Sequence, residues 1–348
     1  METRRIQLTG GSTNTVSLPK GWVNRVGIGP GDVVTFLPQP DGTLLLVPQP
    51  QSLASMERSR ELDGDQRPSY LTRNVVASYL AGYNTLSVKS KRRLAPEARK
   101  SVRDIANKII GLEIIEESID TMVLRDLVDP TELPPSKNVR RIYLIVRSMY
   151  LDVITALKEK DMALAEDVIR RDDEVDKLHW LLVRQFNVVL FNPGIATKIE
   201  VTPGDGLGFV LVGHALERIG DHARRIGSYV VELSRADAQI PQPVLQIVSE
   251  ASTYGLQILG DAIDAFYSRD PGKANAAIEL SEKMPAIDER LTQSILALKA
   301  VVPMAYIAES IHRIASYAVD IGEFALDSSF GCRAHYAHPS GHDARSRG

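Results

Sequence analysis

Only one of the 348 residues is a cysteine, Cys332. An intrachain disulfide is therefore excluded, and the chain suits a reducing cytosol. Uncharged apolar runs of about eighteen residues, the length that a membrane helix needs, are missing. The opening Met-Glu-Thr-Arg-Arg-Ile also lacks the apolar core of a signal peptide. These absences lead to the expectation of a soluble, cytoplasmic protein with no direct membrane insertion. An excess of one charge is missing as well: 41 Lys and Arg against 44 Asp and Glu leave a net charge of −3. Nucleic acid or an anionic surface must then be met by a local patch. No Gly-rich phosphate loop, nucleophile–base pair or hydrolytic His/Cys set is found, which argues against an enzyme. What is present, 44% hydrophobic and 24% charged residues, is the composition of a globular chain of two or three domains.

The stretch from His214 to Gly227 organises the rest. Leu216, Ile219, Ala223, Ile226 and Val230 recur at helical spacing and predict an inward-facing stripe. Glu217 and Asp221 stand one turn apart on another side, where like charges at i and i+4 repel by a few tenths of a kcal/mol. A bound cation or the nearby Arg218, Arg224 and Arg225 would offset that repulsion. Asp172 and Asp176 repeat the spacing beside Val175, Leu178, Leu182 and Phe186. About forty residues separate the two pairs, which suits antiparallel neighbours in a bundle. Asp173 and Glu174 point elsewhere on the same turn. Carboxylates converging from two helices make an all-oxygen site for a hard or borderline cation, and iron or zinc would also accept His179.

Arg170-Arg-Asp-Asp-Glu-Val-Asp-Lys-Leu followed by Ala215-Leu-Glu-Arg-Ile-Gly-Asp-His-Ala resembles the PhoU family of phosphate-uptake regulators over roughly residues 137–330. The resemblance implies two three-helix repeats, each with a Glu/Asp-x-x-x-Asp metal signature. It makes Asp172, Asp176, Glu217 and Asp221 the candidate ligands of a divalent or iron-type ion. It also implies a phosphate ABC transporter ATPase or a signalling protein as partner.

Helical segments are predicted over 137–159, 161–190 and 207–235, then again over 242–268, 272–299 and 303–327, an internal repeat. Superposing Glu217–Gly227 on His312–Gly322 aligns Arg-Ile and Ile-Gly but sets His312 against Glu217 and Ser316 against Asp221. Asp172 meets Met284, and only Asp176 survives, as Asp288. No metal is expected in this second repeat.

Residues 4–47 read as strands and turns around a short helix from Trp22 to Val26, with a turn at Asp41-Gly42. Val16-Ser-Leu-Pro-Lys-Gly-Trp and Gly27-Ile-Gly-Pro-Gly-Asp-Val-Val resemble the AbrB/SpoVT/MazE family of swapped-hairpin barrels, which bind DNA as dimers. That resemblance makes Arg4, Arg5, Lys20 and Arg25 the candidate phosphate contacts. Fewer than fifty such residues bury too little surface to stand alone, so dimerisation through this domain is expected.

The expected chain is thus multi-domain α+β. It has a small N-terminal swapped-hairpin barrel (1–50), a linker (51–68), a short α/β connecting region (69–135), PhoU repeat 1 (136–237), a degenerate repeat 2 (238–330) and a disordered tail (331–348). The connecting region holds the densest basic patch, Lys89, Lys91, Arg92, Arg93, Arg99, Lys100 and Arg103. The expected function is a dimeric regulator of phosphate uptake acting through protein partners and DNA. Two alternatives stand beside it. One is a transcription regulator with a helical sensor. The other, more remote, is a carboxylate-bridged metal enzyme, for which Asp176-x-x-His179 is the nearest motif.

Overall fold

The computed structural model describes residues 2–38, 42–48, 58–129, 132–192, 195–196, 199 and 201–330. The expected tail, Asp41 and much of the expected linker lie outside these. The chain divides into two compact units, one containing residues 1–56 and the other spanning Glu57–Gly331.

In the first unit β1 (Gln7–Thr9) pairs antiparallel with β2 (Thr13–Thr15). Gly10 and Gly11 make that turn with φ of 64° and 79°, a region closed to most side chains. Helix α1 (Lys20–Val26) ends on Gly27, and β3 (Val34–Pro38) pairs antiparallel with β4 (Leu44–Pro48). The result is two separate two-stranded sheets. Among the described residues of this unit only Ile28 is a buried hydrophobic, while Ile6, Leu8, Val33 and Phe36 are each more than half exposed. Isolated hairpins with so little burial are marginal in water.

The second unit opens with a four-stranded sheet in the order β5 (Ser59–Asp63), β6 (Thr85–Lys89), β8 (Thr121–Asp126), β7 (Leu112–Glu117). Only the β5–β6 pair is parallel. Alternation along the strands turns Leu62, Leu86, Val88, Met122 and Leu124 inward. They share a core with α2 (Pro68–Leu80) and α3 (Pro96–Ala106). Strand β5 corrects the expectation of a linker to residue 68. As an edge strand it buries Leu62 alone, and one apolar residue among Arg60, Glu61 and Asp63 leaves almost no periodic signal.

The rest is helical. Helices α4 (Pro135–Glu159), α5 (Met162–Phe191) and α6 (Pro203–Arg235) form the first three-helix repeat. The second consists of α7 (Gln242–Ser268), α8 (Pro271–Leu280), α9 (Met284–Ile295) and α10 (Val301–Phe330). The single helix expected over 272–299 is interrupted by a 3-10 turn, Ser281–Lys283, just before Pro285. Proline supplies no N–H to an unbroken helix and is tolerated in a first turn. One apolar core runs through both repeats.

The sheet region is clamped to the bundle through α5. Trp180 packs against the core of the sheet, and Asn187 Nδ2 donates to the Leu80 carbonyl at 2.8 Å. The strongest tie is Arg184, 4% exposed: Nε and Nη2 lie 2.8 and 2.6 Å from Asp126 Oδ2. Its Nη1 donates to the carbonyls of Tyr79 and Tyr83 at 2.5 and 2.8 Å, and the guanidinium lies over the Tyr79 ring. Burial pushes the Asp126 carboxyl up, and the Arg184 charge pulls it back. Removing one member of such a pair strands the other. Arg184→Ala should therefore lower stability by about 3–5 kcal/mol in urea unfolding. A loss below about 1 kcal/mol would mean that the pair does not hold the two parts together.

Candidate functional site

Helix α6 is the central element of the first repeat and packs against α4, α5 and α10. Its start is fixed by a capping box, Thr202 Oγ1 accepting from Asp205 N and the Asp205 carboxylate accepting from Thr202 N. Gly213, Gly220 and Gly227 stand two turns apart on the side that meets α5. A Cβ on Gly227 would come 3.1 Å from the Ala165 carbonyl oxygen. One on Gly220 would lie 3.6 Å from Asp172 Oδ1, and one on Gly213 would clash with Leu182. These glycines let the two backbones approach closely, and the approach gathers the acidic residues of both helices.

Asp172 is buried beside Gly220, and Arg224 Nε lies 2.7 Å from its Oδ2. Arg224 also reaches Asp221 at 3.6 Å, while Arg218 lies 3.2 Å from Asp221 and 3.1 Å from Glu217 Oε2. That last contact is off the hydrogen-bonding direction, which leaves Glu217 Oε2 buried without a hydrogen bond. Asp221 thus pairs with Arg218 and Arg224. Arg225, the third of the nearby arginines, turns to Glu309 at 3.1 Å. Asp173 and Glu174 do point elsewhere, to Lys108 and Arg141.

Burial, more than neighbouring charge, perturbs Asp172, Asp176 and Glu217. It pushes Asp172 up to about 6 against the Arg224 charge, and Glu217 up to about 7, with Asp221 adding to the rise. Asp176 is raised by burial and then by Asp221. Next to them sits a feature that sequence reasoning missed. His179, one turn beyond Asp176, packs its ring 5.7 Å from that of His214, one turn before Glu217. Burial lowers His179 to about 4, so it is neutral. The reversed spacing, His214-x-x-Glu217 against Asp176-x-x-His179, was the available signal.

All four predicted ligands therefore lie within electrostatic reach of one another. The donor chemistry, carboxylate oxygens with one orphaned and buried, fits a hard or borderline cation. In this arrangement Arg218 and Arg224 stand on Asp172, Glu217 and Asp221, and among the described residues no group of three or more His, Cys, Asp or Glu is disposed to hold a metal ion. In the second repeat His312 Nδ1 lies 2.6 Å from Asp288 Oδ2, so the one surviving carboxylate is paired.

The other predicted sites differ in their surroundings. Arg4, Arg5, Lys20 and Arg25 are all exposed, with Arg4 paired to Glu2 at 2.6 Å. Much of the basic patch is neutralised, since Lys89 pairs with Glu61, Lys100 with Asp104, and both Arg99 and Arg103 with Glu117.

Comparison with known proteins accounts for this architecture. Residues 139–230 and 248–325, the two helical repeats, each match the PhoU domain. The chain belongs to the PhoU family. A phosphate-specific transport system accessory protein PhoU homolog of Rhizobium meliloti is 25% identical over 189 residues, covering 51% of this chain and 77% of the relative. Part of the chain is similar in fold to PhoU from Pseudomonas aeruginosa, with a TM-score of 0.50 at 17% identity over 55% of this chain and 93% of that one. The regulatory PhoU protein of Streptococcus pneumoniae also gives 0.50, at 19% identity over 57% and 95%. Residues 7–54 match the MazE bacterial antitoxin family, so a MazE/AbrB-type domain precedes the PhoU repeats. Among the described residues no helix is long and apolar enough to cross a membrane.

The raised Glu217 carboxyl sets a pH dependence. Between its ordinary value of 4.5 and about 7 the folded chain keeps a proton that the unfolded chain has lost, so stability falls as pH rises through that window. In chelator-treated protein Glu217→Gln should be more stable than wild type at pH 8 by roughly 1–3 kcal/mol, with the gap closing below about pH 4.5. An equal gap at both pH values would show that Glu217 ionises normally.

Proposed function

We propose that this PhoU protein regulates phosphate transport as a dimer, with the bundle meeting protein partners and the N-terminal domain joining two chains and contacting DNA. The observation that carries the proposal is the match of both repeats to the PhoU domain. It is supported by relatives named as phosphate-specific transport system accessory proteins. The partner would be the ATPase subunit of a phosphate ABC transporter or a signalling protein, in the cytoplasm. Dimerisation is supported by Ile6, Leu8, Val33 and Phe36, which a second copy's hairpins would cover. DNA contact through Arg4, Arg5, Lys20 and Arg25 is supported by their exposure and by the MazE match. That match also favours the second reading, a transcription regulator whose bundle is the sensor.

A divalent or iron-type cation belongs to the same proposal. It would bind Asp172, Asp176, Glu217 and Asp221 and displace Arg218 and Arg224 from all but Asp176, and protons would leave Asp172 and Glu217 as it entered. Elemental analysis should then find metal in the intact protein and none after Glu217→Ala with Asp221→Ala. Intact protein without metal would leave the arginines as the native counter-charges.

The proposal as a whole is tested by affinity capture from cells shifted between high and low phosphate, using the full chain and a chain lacking residues 1–50. Both should retain a transport or signalling protein in a phosphate-dependent way. Only the full chain should retain DNA, and truncation should lower the mass in solution. Capture that ignores phosphate would contradict the regulatory role, and an unchanged mass would move the dimer contact to the helical region.

A further inference from the structure

A second polar cluster lies where the two repeats meet, along α6 and α10, on the opposite side of Asp221 in sequence from the acidic pair with Glu217. His222 and Tyr317 face each other with ring centres 5.9 Å apart. The Arg313 guanidinium lies 4.9 Å from the Tyr317 ring centre, and its Nη2 donates to the Tyr317 hydroxyl at 2.8 Å. One turn along α6, Arg225 lies over Tyr306, which stacks on Tyr229 at 5.0 Å. Both arginines and Glu309 act electrostatically on His222, as does Asp221.

The charge balance of this cluster is uneven. Glu309 is paired with Arg225 and Asp221 with Arg218 and Arg224, so no carboxylate lies within ion-pair distance of Arg313 among the described residues. Asp320 feels the Arg313 charge only from further along α10. The His222 Nδ1 is buried with no hydrogen-bond partner. An unpaired buried N–H costs more than an unpaired lone pair, so the favoured neutral tautomer carries its proton on Nε2. The cluster therefore presents donors from Arg313, His222 and the Tyr317 hydroxyl, with Glu309 and, further along, Asp320 as the acids on its α10 side. Donors on a guanidinium that no carboxylate pairs suit a small tetrahedral oxyanion.

We propose that the α6–α10 junction binds a small oxyanion, inorganic phosphate, through Arg313 and His222, with Arg225 as a second cation that the ligand shares with Glu309. This deepens the regulatory reading by supplying a ligand, and it rests on that reading only for the choice of phosphate among oxyanions. Binding at this place would bridge the two repeats, because His222 and Arg225 belong to the first and Arg313 and Tyr317 to the second.

The test is calorimetric titration of the full chain with inorganic phosphate at low salt, with sulfate in parallel. Wild type should bind one phosphate per chain with saturable heat. Arg313→Gln should weaken binding at least about tenfold, the size expected for the loss of one charged hydrogen bond. Glu309→Gln should tighten it, because the internal competitor for Arg225 is gone. A merely structural role for Glu309 would not produce tightening. Far-ultraviolet circular dichroism and a melting curve check that both variants are folded. Several outcomes would overturn the proposal: no saturable heat, equal binding by folded Arg313→Gln, or binding abolished by a chelator, which would place the anion on a metal at the acidic cluster. Equal affinity for sulfate would overturn the assignment of phosphate as the ligand. Capture experiments that fail while phosphate binds here would contradict the partner reading alone.

Discussion

The close approach of α5 and α6 is the constraint on which the first repeat depends. Three glycines two turns apart on α6 present backbone where other residues would present side chains, and Leu182, Val175 and Ile169 of α5 fill the space. Glycine costs a helix about 1 kcal/mol relative to alanine. The compensation is contact between two long helices at a distance that side chains would prevent. Asp172 lies against Gly220 because of that contact, and burial follows from it.

Everything unusual about the electrostatics descends from this burial. Two helices in close contact must place their carboxylates in a partly dry seam, where Asp172, Asp176 and Glu217 are raised and His179 and His214 lowered. The neighbouring arginines keep the seam from being a cluster of naked charge. The second repeat relaxes the same problem by substitution. Met284 replaces an acid, and His312 pairs with the remaining Asp288. Arg313, the counterpart of Arg218, keeps its charge there, but His312 and Ser316 stand where Arg218 has Glu217 and Asp221. The two repeats keep one core, and the acidic seam belongs to the first alone.

Much of this was legible in the sequence. The helical stripe from Leu216 to Val230 and the pairs at Asp172/Asp176 and Glu217/Asp221 placed both helices and their acids, since a period of 3.6 over thirty residues is a strong signal. The loss of carboxylates from the second repeat was equally plain from the superposed motifs. Other features were hidden for physical reasons. Strand β5 buries Leu62 alone, and its pairing with β6 is a long-range event that no local pattern encodes. Arg184 looks like any surface arginine until the sheet region closes over it. The choice of Arg224 over Arg225 as the partner of Asp221 depends on where α10 places Glu309. The candidate DNA contacts were chosen by family resemblance, and the structure adds only that they are exposed.

The most direct measurement of the central constraint is the stability of Gly227→Ala. An exposed helical position would gain about 1 kcal/mol from that change. Here the added methyl would meet the Ala165 carbonyl oxygen at 3.1 Å, part of a helix backbone that cannot turn aside as a side chain can. Overpacking of this kind costs about 1–3 kcal/mol. The account predicts a lower urea midpoint for Gly227→Ala than for wild type; a higher midpoint would contradict it and show that α5 and α6 have room to spare.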